Sequence, residues 1–100
     1  MTAYEHVLIA RQDISATQAE GLMTHFAQIL KDNEGTIHDS EYWGLKTMAY
    51  KIKKNRKGHY LLIKSISPAP AVAEMERLAR LHDDVLRILT IRVAEHKEKN

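Results

Sequence analysis

Five cations stand close together at Lys51, Lys53, Lys54, Arg56 and Lys57, with no acid among them. Such a cluster repels itself unless a polyanion lies against it, and phosphate suits both side chains through charge and donor geometry. The chain carries +2 in all, which leaves −3 outside the cluster, so the positive field is local. The same run is also compatible with a solvated, lysine-rich turn. Other residue types that could do chemistry are not arranged to do it. His6, His25, His38, His59, His82 and His96 show no i, i+4 pair, and there is no cysteine to complete a ligand set, so no metal is expected. Gly21, Gly35, Gly44 and Gly58 are scattered rather than gathered into a phosphate-cradling loop, so no nucleotide cofactor is expected either. Asp83-Asp84 suits a helix end, and Ser15 is better placed as a helix cap than as a nucleophile. The chain is not expected to be an enzyme.

One hundred residues suit one domain, expected over 1–93, with a polar tail over 94–100. Apolar residues at 44% and charged residues at 28% are ordinary globular usage, which argues against a wholly disordered chain. No apolar run approaches the roughly 18 residues of a membrane span. The opening Met1-Thr2-Ala3-Tyr4-Glu5 lacks the basic-then-apolar order of a secretory signal. The absence of cysteine is compatible with a cytosolic home.

The basic cluster must be held by elements legible in the periodicity. Residues 5–10 read as a short strand that ends at Arg11-Gln12-Asp13. Ser15 and Gln18 have capping-box spacing. Ala19, Leu22, Met23, Phe26, Ile29 and Leu30 then form one helical stripe, for which core packing is the simple explanation. Gly35 is expected to close that helix in a left-handed conformation. Residues 36–52 read as a long strand with an interruption near Gly44. Asn55-Arg56-Lys57-Gly58 is expected to turn, with Gly58 free to take positive φ. Residues 59–66 return as a strand, which puts the cations at a hairpin tip. Ser67-Pro68-Ala69-Pro70 opens a second helix, with Val72, Met75, Leu78, Ala79 and His82 on its apolar face. Residues 85–93 form the last strand. The order βαββαβ predicts an α+β, ferredoxin-like split β-α-β fold. Its four-stranded antiparallel sheet carries two helices on one face, in spatial order fourth, first, third, second.

Helices on one face leave the other uncovered, yet several strands are apolar on both alternations. Val7 and Ile9 oppose Leu8; Tyr60 and Leu62 oppose Leu61 and Ile63; Ile88 opposes Leu89 and Ile91. A sheet with one wet face alternates more cleanly, so the open face is expected to take a protein partner. Trp43, Tyr50, Tyr60 and Leu62 are the candidate anchors, although for Trp43 core support is the first reading and interface anchor the alternative. Arg87 and Arg92 lie five apart in one strand and must point to opposite faces. A single-strand RNA-recognition module shares this topology, but the segment Lys57-Gly58-His59-Tyr60-Leu61-Leu62-Ile63 lacks its stacking signature. A homodimeric ferredoxin-like module, ligand-binding or enzymatic, is the alternative from another class.

Further residues carry a resemblance. Tyr4-Glu5, the Arg-x-Asp-x-Ser stretch from Arg11 to Ser15, and the run Glu41-Tyr42-Trp43-Gly44-Leu45-Lys46-Thr47-Met48-Ala49-Tyr50-Lys51-Ile52 resemble the bacterial family of the sixth small-subunit ribosomal protein. Gly58 with Tyr60, Glu74-Met75-Glu76-Arg77 and Val85-Leu86-Arg87 agree with it. The likeness runs from about Tyr4 to Val93, and its middle motif is the specific part. It implies the fold deduced above and a structural, non-catalytic role in the ribosome of the cytoplasm. It further implies binding to small-subunit ribosomal RNA in its central domain, together with the eighteenth small-subunit ribosomal protein. Arg87 matches a basic position of the family, which assigns Arg87 to RNA and leaves Arg92 to packing or the partner.

Overall fold

The computed structural model describes residues 1–94. Its elements are β1 (Thr2–Arg11), α1 (Ala16–Asp32), β2 (Thr36–Ile52), β3 (Asn55–Ser67), α2 (Ala69–Leu81) and β4 (Val85–Val93). The sheet is antiparallel in the order β2-β3-β1-β4, as the pattern predicts. Of the expected polar tail, residues 95–100 lie outside the described residues.

The start of α1 follows from its cap. Ser15 Oγ accepts from the Gln18 N–H at 3.0 Å, and Gln18 Oε1 accepts from the Ser15 N–H at 2.8 Å. Two otherwise orphan donors are thereby satisfied. The helix buries Ala19, Leu22, Phe26, Ala27 and Leu30, with Met23 and Ile29 at the margin. Its far end departs from expectation. Glu34, not Gly35, takes the left-handed conformation, with φ of 74°. Gly35 is there for space. Its N–H donates to the Leu30 carbonyl at 2.7 Å, and a Cβ would lie 2.6 Å from Ser67 Oγ and 2.8 Å from Leu30 O.

In α2, Pro70 sits in the first turn, where its missing N–H is harmless, and Ala71, Val72, Met75 and Ala79 are buried. His82 is the C-cap of the helix, and its ring still meets the core. Its N–H donates to Ala79 O at 3.2 Å, while its ring meets the edge of Phe26 at 5.9 Å. The core joins these residues to Leu8, Ala10, Leu61 and Ile63, all on one sheet face. Two histidines are structural parts of that layer. His6 is held between Thr90 Oγ1 at 3.0 Å and Ser65 Oγ at 2.7 Å. His59 Nε2 donates to Ile14 O at 2.8 Å, so in the neutral ring Nδ1 accepts from the Tyr42 hydroxyl at 2.8 Å. Buried polar groups are tolerable when so paired.

The long hairpin turns earlier than predicted. Lys53 and Lys54 form the turn with φ of 48° and 69°, and β3 has begun at Asn55. Consecutive positive φ values match the right-handed twist of the flanking strands, which is why tight hairpins adopt them. Asn55 Nδ2 braces the turn, donating to Ile52 O at 3.2 Å and Lys53 O at 3.0 Å. Gly58 therefore lies within β3 and not in the turn. Its value is again space, since a Cβ would sit 2.4 Å from Ile9 Cγ2. Gly44 does interrupt β2, with φ of 94° beside a register shift between Tyr42 and Gly44.

Candidate nucleic-acid interface

The hairpin's sequence decides where its charge goes. Lys51, Lys53, Lys54, Arg56 and Lys57 are all exposed around the turn, and none is ion-paired within the described residues. The tip is tethered to the end of β1, where Asn55 Oδ1 accepts from the Gln12 N–H and Gln12 Oε1 accepts from the Lys57 N–H, each at 3.1 Å. The hairpin's end also reaches β4, since Arg87 Nη1 donates to Tyr50 Oη at 3.4 Å.

Arg87 and Arg92 occupy opposite faces, as their spacing requires. Arg87 pairs in register with Ile9 on the open face, and Arg92 with Tyr4 on the helix side. Acid next to Arg87 in sequence does not neutralise it. Asp84 binds Arg11 instead, at 3.0 Å, with Asp13 on the same guanidinium at 3.2 Å. Arg87 thus adds to the hairpin's five a cation with no acidic partner among the described residues.

The anchors assigned from sequence do not form one surface. Tyr50 and Tyr60 line a depression of about 140 Å³ with Ile9, Met48 and Arg87. Tyr50 is 66% exposed, but Leu62 is only 4% exposed and supports the face from within. Trp43 is 43% exposed, with the Lys46 ammonium 5.5 Å from its ring centre. Arg92 lies across the sheet from the rest. Leu89 and Ile91, on the same side of β4 as Arg87, are 49% and 47% exposed. They offer more apolar area than Leu62. The signal for them in the sequence is the two-sided apolar pattern of their strand. Among the described residues no group of histidines and acids gathers as a metal site.

The model of the family described as "Ribosomal protein S6" matches residues 3–92. The chain belongs to the ribosomal protein S6 family. It is 68% identical over 98 residues to the small ribosomal subunit protein bS6 of Roseobacter denitrificans, covering 98% of this chain and 84% of that one. It is 64% identical to the protein of the same name from Paracoccus denitrificans, covering 98% and 75%. The crystal structure of 30S ribosomal protein S6 from Thermotoga maritima superposes with a TM-score of 0.86 at 26% identity, covering 92% of this chain and 87% of that one. The role is therefore structural, in the small subunit of the bacterial ribosome, and the enzymatic alternative falls away.

Proposed function

We propose that this chain binds small-subunit ribosomal RNA of the central domain through its basic hairpin and Arg87, and binds the eighteenth small-subunit ribosomal protein through its open sheet face. The observation that carries the RNA half is the set of exposed cations at one end of the molecule, none of them ion-paired among the described residues. Phosphate contacts from Lys and Arg release counterions and supply much of the affinity without reading sequence. Support for the partner half is the exposed apolar pair Leu89 and Ile91 on β4, on the face that no helix covers. Burying such a pair excludes water from it, and aromatic residues with a polar tip suit its rim.

Hydrogen exchange tests both halves. On adding the eighteenth protein, amides of β4 and β1 are expected to slow, while α1 and α2 keep their rates. On then adding the central-domain RNA, protection is expected to extend to residues 51–57. Protection confined to the helices contradicts the assignment.

A further inference from the structure

Lys53 and Lys54 hold a backbone shape that disfavours any residue with a Cβ, and hairpins that use it favour Asn-Gly. A lysine pair is a poor turn and a good source of charge, and strain of this kind gathers at functional places. Lys53 lines a cleft of about 130 Å³ together with Arg80 from the last turn of α2 and Arg87 from β4, over a floor of Val85, Leu86 and Ile88. Three cations from three elements converge there, and within the described residues none has an acidic partner. Nearby cations differ. Arg77, one turn before Arg80, is gripped by both oxygens of Glu74 at 2.8 Å and 3.0 Å, and its hydrogen bond lowers the Glu74 pKa. Arg11 is taken by Asp84 and Asp13. Glu74 and Asp84, two of the acids near the cleft in sequence, are thus spent elsewhere.

We propose that this cleft is a phosphate socket in which Arg80, Lys53 and Arg87 hold one phosphate group of an RNA backbone. The proposal rests on the RNA-binding function above and adds Arg80, on a helix outside the hairpin, to the residues that carry it. Guanidinium groups can grip phosphate oxygens in a fork, while the lysine supplies a mobile point charge.

The test uses the full chain with the eighteenth protein and a transcript of the central domain. Arg80→Gln should reduce the dependence of log affinity on log salt by roughly 0.7–0.9, the value of one phosphate contact, while the paired Arg77→Gln leaves it unchanged. Lys53→Asn with Lys54→Gly should raise the thermal midpoint, because the turn relaxes, and yet weaken binding; a purely structural turn would not separate the two. The Nε–H signals of Arg80 and Arg87 should move with the transcript. Saturable movement with inorganic phosphate, against sodium chloride of equal ionic strength, shows a socket that also takes the free ion. Movement with the transcript alone shows one that needs the RNA backbone. Unchanged affinity and salt slope in Arg80→Gln, with wild-type binding intact, overturn the socket and leave RNA binding standing. Failure of the wild type to bind the transcript overturns both.

Discussion

Replacing Lys53, Lys54 and Arg56 together by alanine is expected to lower the salt slope of ribonucleoprotein formation by about 2 to 3, at roughly 0.7–0.9 per lost phosphate contact. All three side chains are exposed at or beside the turn and none packs into the core. Surface substitutions of that kind usually change stability by no more than about 0.5 kcal/mol. Affinity should therefore fall steeply at low salt while the thermal midpoint stays within a few degrees. Filter binding across a salt series, with circular dichroism as the folding control, checks this. A slope equal to that of the wild type would place the phosphate contacts elsewhere on the molecule.

The largest stability effect from a small change is expected at Gly35. A methyl group there lies 2.8 Å from the Leu30 carbonyl, which is backbone, and 2.6 Å from Ser67 Oγ. Ser67 is buried and donates to Ser65 Oγ at 3.1 Å, and Ser65 in turn contacts His6. Neither neighbour can retreat without disturbing the end of α1 or the His6 network. Overpacking of this kind costs about 1–3 kcal/mol, which at about 4–8 °C per kcal/mol is a marked drop in midpoint for a domain of this size. Gly21→Ala is the matched control with the opposite sign. It sits within α1 with nothing within 4 Å of its Cβ position, so alanine should stabilise the helix by about 0.5–1 kcal/mol. Thermal denaturation of both variants decides the matter. Equal midpoints would mean that the close approach at Gly35 relaxes without cost.

Much of the fold was legible because its signals are local. The stripe of α1, its Ser15–Gln18 cap and the proline start of α2 each depend on a few neighbouring residues. Opposite faces for Arg87 and Arg92 follow from strand periodicity alone. Errors arose where a glycine serves tertiary space rather than local conformation. Gly58 suggested a turn but makes room for Ile9, and Gly35 suggested a left-handed cap but makes room for Ser67. The true turn lay hidden because Lys53-Lys54 carries no turn chemistry. The candidate site was legible in its charge and not in its assembly. Arg80 is a lone cation in sequence, and only the packing of α2 against β4 brings it beside Lys53 and Arg87. Leu62 and Leu89 look alike as apolar strand residues; their different burial reflects a central strand against an edge strand.

The most direct measurement is an electron cryomicroscopy structure of small ribosomal subunits assembled with this chain. The tip from Lys51 to Lys57 is expected against ribosomal RNA phosphates of the central domain, with Leu89 and Ile91 covered by the eighteenth small-subunit protein. A tip pointing into solvent, with RNA on the helical face instead, would contradict this.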